Sequence, residues 1–146
     1  MSWVDDRLDD QKRSERDRAL ISLQAEKVYE ELWKEISDRV GDAAKRGTPV
    51  ATNGSNYERT VLAGAFANGD MYRTQPGESR QLTITMERAD GKIVVANSTD
   101  ERSFEIPLKV CENSIVRPSH QGKPLTIPEA AKLILEPFLF PPTPNR

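Results

Sequence analysis

Few residues in this chain could do covalent or metal chemistry, which bounds the chemistry at once. The chain has one cysteine, Cys111, and one histidine, His120. A thiol becomes a nucleophile when a base takes its proton. These two stand either side of Glu112-Asn113-Ser114, a turn that could fold one strand back on the next. Against that reading, Ser119-His120-Gln121-Gly122 is a glycine turn, where a histidine is ordinarily an exposed loop residue, and a lone cysteine is ordinarily a small filler. No catalytic residue is therefore assigned. A tetrahedral zinc site draws mainly on several Cys and His ligands, which the chain does not have. Asp5, Asp6, Asp9 and Asp10 bring oxygens at helical spacing but lack the looped backbone of a calcium site. Neither GxxxxGKS/T nor GxGxxG occurs, so no glycine loop is expected to cradle phosphates, and no metal or cofactor is expected.

Two constellations remain. Tyr29 and Trp33, one helical turn apart, would with Phe104, Phe138 and His120 line a pocket between a helix and a sheet; ordinary core is the plainer account of such aromatics. Trp3, Val4 and Leu8 form an apolar tip ahead of a run from Asp9 to Arg18 that holds no apolar residue, a pattern suited to an interaction arm.

The elements that must position these residues follow from the distribution of chain breakers. All 8 glycines and all 10 prolines fall after Val40, which predicts one long helix followed by short pieces joined by turns. Ile21, Ala25, Val28, Leu32, Ile36, Val40 and Ala43 recur at spacings of three and four, and Leu20, Leu23, Tyr29 and Trp33 widen that stripe to a face able to lie on a sheet. Lys45, Arg46 and Gly47 mark its C-terminal end. A helix from Ser2 to Arg46 would be about 67 Å long and must overhang strands of about 27 Å. Met1 to Arg18 is thus either a fraying end or a docking arm for a protein partner, which can be another protein or a second copy. Asp9 with Arg13 and Glu15 with Arg18 are spaced to support it as a solvated helix.

Beyond Gly47, Asn53-Gly54-Ser55-Asn56 reads as turn, Tyr57 to Ala63 as a strand with Tyr57, Arg59 and Val61 on one face, and Gly64 to Arg80 as a long loop. Leu82, Ile84 and Met86 alternate with polar neighbours, and Asp90-Gly91 predicts a two-residue hairpin turn that sets Met86 opposite Val95 and Ile84 opposite Asn97. Phe104, Ile106, Leu108 and Val110 form the next inward face, with Pro107 requiring an edge or a bulge. Ile115 to Ser119 is a last strand, closed by Gln121-Gly122. Thr126 and Glu129 match a capping box for a short helix with the stripe Ile127, Ala131, Ile134 and Phe138, which Pro137 ends or kinks. Pro141-Pro142-Thr143-Pro144 is a polyproline-like tail.

The predicted fold is α+β: a long N-terminal helix on a four- or five-stranded antiparallel meander with a short C-terminal helix. Residues 1–18 are the charged arm, 19–140 a single domain, and 141–146 a proline-rich tail. Helix followed by meander resembles the element order of cystatin-like folds, in which a sheet wraps one helix. The glutamine-valine-glycine inhibitory loop of that family has no counterpart here, so the resemblance implies no inhibitor role.

Composition narrows the function classes. The chain is 36% hydrophobic and 30% charged, polar yet regularly patterned, as expected of a folded, soluble protein. Residues 1–46 carry 10 basic and 12 acidic side chains and residues 47–146 carry 11 of each, a balance that disfavours nucleic acid unless Arg59, Arg73, Arg80, Arg88 and Arg117 gather on one face. The opening MSWVDDRLDD has no basic leader or apolar run, no segment is apolar enough to span a membrane, and a single cysteine suits a reducing compartment, so a cytoplasmic location is expected. The expected function is a non-enzymatic interaction module, self-associating through its helix. The alternative is a binder or enzyme of small molecules, with its pocket under the helix.

Overall fold

In the computed structural model the described residues are 2–47, 50–54, 58–63, 80–97 and 103–140. Helix α1 runs unbroken from Trp3 to Lys45. Its 43 residues make a rod of about 64 Å. Ser2 caps it, the hydroxyl accepting from the Asp5 amide at 3.4 Å, with Asp5 and Asp6 in the first turn where the helix dipole favours anions. At the other end Gly47 takes the left-handed conformation, φ 92°, as the end signal requires.

Among the described residues seven antiparallel strands follow in meander order: β1 (Val50–Gly54), β2 (Glu58–Ala63), β3 (Arg80–Glu87), β4 (Lys92–Asn97), β5 (Ser103–Val110), β6 (Val116–His120) and β7 (Lys123–Pro124). Helix α2 (Ile127–Leu139) then packs against α1 and β6. The α+β class is as predicted; the strand count is not. β1 was hidden because its Asn53-Gly54 has turn chemistry and no alternation, and pairing with β2 makes it a strand all the same. β7 is two residues long and exists only because Gln121 and Gly122, at φ 52° and 81°, fold Lys123 back onto His120. The predicted loop of residues 64–79 and the tail of 141–146 lie outside the described residues.

The β3–β4 hairpin departs from its predicted register. Glu87 pairs with Lys92, Met86 with Ile93 and Ile84 with Val95, so the loop is the four residues Arg88 to Gly91. A two-residue Asp-Gly turn would place Asp90 at positive φ; here only Gly91 does so, at 64°, and its amide closes the turn on the Arg88 carbonyl at 3.2 Å. The slip is by two residues, which preserves the inward face because side chains alternate with period two.

That face and the stripe of α1 make the core. Ala25, Val28, Tyr29, Leu32, Ile36 and Val40 are buried against Val61, Ile84, Ile93, Val95 and Ile106, each large aliphatic side chain stabilising the fold by about 1.5–3 kcal/mol. Leu23 does not belong to the stripe: it is 74% exposed. At about 100° per residue it stands on the far side of the rod from Ala25. Phe104 has inward parity but lies at the open end of β5 and is exposed.

Pro107 is accommodated where β5 changes neighbours. It forms the last rung with Lys92 of β4, and Leu108 begins the pairing with β6. Its carbonyl is met by the Ser119 hydroxyl, which donates at 2.9 Å in place of a backbone amide. The α2 capping box forms as predicted: the Glu129 amide donates to Thr126 Oγ1 at 3.2 Å and the Thr126 amide donates to Glu129 Oε1 at 3.0 Å. Pro137 neither ends nor visibly interrupts α2, for the next turn closes through the Phe140 amide on the Glu136 carbonyl at 2.9 Å.

Candidate functional site

The arm is the part of α1 that no strand among the described residues covers. Among the described residues the body first bonds to the helix at the β3–β4 hairpin, where Arg88 Nε donates to the Ser22 carbonyl at 2.9 Å and Gly91 faces Ile21. Ahead of that point, residues 3–17 project for about 22 Å of helix. The apolar tip is in solvent: Trp3 is 75% exposed, Val4 44% and Leu8 49%. Val4 and Leu8 lie one turn apart and form one ridge, while Trp3 stands about 100° around the rod from Val4 and forms a second. Neither Asp9 with Arg13 nor Glu15 with Arg18 forms an ion pair, and all four side chains are exposed. Where arm and hairpin part there is a cleft of about 570 Å³, with Arg13, Asp17 and Arg18 on the helix facing Arg88 and Asp90. A second, apolar groove of about 490 Å³ separates α1 from α2, with Leu135, Leu139 and the exposed Phe140 along one wall.

Under the helix the predicted pocket residues separate. Tyr29 and Trp33 come together on Arg59, whose guanidinium lies 4.7 Å from the Tyr29 ring centroid and 5.6 Å from that of Trp33. Arg59 is 7% exposed and pairs through Nη2 with Glu30 Oε1. The Tyr29 hydroxyl donates to the Ile84 carbonyl at 2.6 Å, so it is engaged in holding helix to sheet. Phe104 ends the cross-strand row that begins Arg59, Ile84 and Val95, on the far strand from Arg59. His120 is on β6, half-buried. Cys111 adjoins Val110, which pairs with Val116 at the opposite end of β6, so about 13 Å of strand separates the thiol from the imidazole. Among the described residues no three His, Cys, Asp or Glu side chains converge as a metal site requires.

The four described arginines of the expected set do not gather on one face. Arg59 is beneath α1. Arg80 caps the end of α2, donating to the Phe138 carbonyl with its guanidinium 5.1 Å from that ring. Arg88 is on the hairpin, Arg117 points from the other face of β6, and Arg73 is outside the described residues.

Two residues that anchor the helix to the sheet are not read as anchors in the sequence. Arg59 had inward parity beside Val61, and a cation at such a position is a readable sign of an aromatic or acidic partner. Gln24 gave no sign at all: its amide donates to the Ser114 carbonyl at 2.8 Å and accepts from the Val116 amide at 2.9 Å, clamping the β5–β6 turn to the helix.

Helix, wrapped antiparallel sheet and protruding arm define the class as α+β with an exposed helical extension. No protein-family model matches the chain, and comparison with curated proteins and with solved structures gives no match to it. Among the described residues no helix is long and apolar enough to cross a membrane.

Proposed function

We propose that this protein is a cytoplasmic, non-enzymatic interaction module that self-associates through the overhang of α1. One observation carries the reading: a capped helix, continuous with the domain, extends about 22 Å past the last element that covers it among the described residues and ends in exposed apolar side chains. Ordering an uncovered helical segment loses conformational entropy, and exposed Trp, Val and Leu add no stability until something covers them. The space under the helix supports the same reading, for aliphatic side chains and the Arg59 cluster occupy it and both clefts lie outside the helix–sheet layer. The balanced charge of the chain also suits a protein partner better than nucleic acid.

Sedimentation equilibrium decides it. The full chain is expected to associate, a chain starting at Arg18 to remain monomeric, and Leu8→Asp to weaken association while leaving the melting temperature of the domain unchanged. Identical monomeric masses for the full and shortened chains would remove the arm as an association element.

A further inference from the structure

Resting on that reading, we propose that the arm's partner is the arm of a second copy, lying antiparallel about a two-fold axis between Asp10 and Gln11 and held in register by charge. Asp5, Asp9, Lys12 and Arg16 follow one another at spacings of four, three and four, so they form a single stripe on the rod, beside the ridge of Val4 and Leu8. All are exposed, and none makes an ion pair or a side-chain hydrogen bond within the chain among the described residues.

The order of signs is what points to a copy. Along the stripe they run minus, minus, plus, plus, which sets Asp5 one turn from Asp9 and Lys12 one turn from Arg16. Like charges at that spacing destabilise a lone helix, and a helix meant only for solvent is better served by alternating signs. An antiparallel copy relieves both contacts: Asp5 falls opposite the second copy's Arg16 and Asp9 opposite its Lys12, and the two-fold repeats each pair. Val4 and Leu8 then rest on the methylene stems of the second copy's Arg16 and Lys12, which supply apolar cover while their charged heads reach the acids. A parallel pair would set acid on acid and base on base. The overlap is short, so the dimer is weak and sensitive to salt. Trp3 stands off this face, on the flank that leads back to the cleft at the hairpin.

The test is sedimentation equilibrium of the full chain at low and high salt, beside Asp5→Lys/Asp9→Lys, Lys12→Glu/Arg16→Glu, their equimolar mixture, and the chain carrying all four changes, each checked for helix content by circular dichroism. The natural chain should dimerise, with Kd rising at least tenfold between about 0.05 and 0.5 M salt. Each two-site variant should lose at least tenfold in affinity, whereas the mixture and the four-site chain should recover the natural value within about threefold. Two-site variants as tight as a dimeric natural chain would overturn the charge register and leave arm-driven association standing. The same register is overturned by a dimer that tightens with salt, or by a mixture that stays monomeric, which also covers variants whose arm has frayed. A natural chain monomeric at low salt overturns both readings together.

Discussion

The guanidinium of Arg59 lies over the ring of Tyr29, 4.7 Å from its centroid, and the hydroxyl of that same tyrosine donates to the carbonyl of Ile84 on the neighbouring strand. One helical residue thus holds β2 by its face and β3 by its edge. This couples the middle of α1 to the sheet in register as well as in contact. A slip of the helix would break a cation–π contact and a hydrogen bond together.

Arg59→Ala should therefore destabilise the domain by about 2 kcal/mol, through lost stacking and packing. The loss stays below that of breaking a fully buried ion pair, because Glu30, with 55% of its side chain exposed, can turn to water. Arg59→Lys keeps the charge but not the planar fork and should lose about half as much. Urea unfolding of the two variants checks the order; equal losses would mean that stacking contributes nothing.

Gln24→Ala removes both bonds of the clamp on Ser114 and Val116 and should destabilise by about 2 kcal/mol. Gln24→Glu is close in shape yet has no donor for the Ser114 carbonyl, so it should recover less than half. The turn it holds carries Asn113 and Ser114 at φ 61° and 58°, conformations unfavourable for side chains other than glycine. Ser114→Gly is expected to raise stability by about 0.5 kcal/mol, read from the same urea curves.

Gly91→Ala meets two obstacles. The residue is at φ 64°, and an added Cβ would come to 3.0 Å from Ile21 Cγ2, so the hairpin must move off α1. A loss of about 2 kcal/mol is expected. Gly122→Ala, also left-handed at φ 81° but facing open space, should lose about 1 kcal/mol. Melting curves that ranked the two the other way would show that the Ile21 contact is slack.

The capping box makes a prediction in pH. Hydrogen bonds from Thr126, first its backbone amide and then its side chain, hold the Glu129 carboxyl below the usual glutamate range. A lowered carboxylate favours the folded state above its ordinary pKa, and that contribution is lost as pH falls through the lowered value. The gap in melting temperature between the natural chain and Glu129→Ala should be full at neutral pH and narrow below the ordinary glutamate range. Thr126→Ala deletes the hydroxyl acceptor of the cap together with one of the bonds to that carboxylate, so it should lower stability by about 1 kcal/mol at neutral pH and by less in acid.

Local physics made much of this fold legible. Glycine and proline are absent up to Val40, so the rod could be read directly, and its end at Gly47 follows from one left-handed residue. The inward faces of β2 to β5 and the Thr126–Glu129 cap are likewise matters of spacing within a few residues. The segregated charges of the arm were also in plain view, since a helix converts spacing into a face by fixed geometry.

Other features belong to tertiary structure because partners distant in the chain decide them. Val50–Gly54 is a strand only because β2 lies beside it, and the β3–β4 loop is four residues long because Gly91 alone accepts the left-handed turn. Tyr29 and Trp33 became the bed for Arg59, and Gln24 a clamp, through contacts that no local periodicity encodes. Cys111 and His120 show the converse: a turn between two residues does not bring them together when one precedes a strand and the other ends it. Sequence spacing determines which side of an element a residue takes, whereas the register between elements, set by packing and backbone pairing across the chain, determines what it meets there.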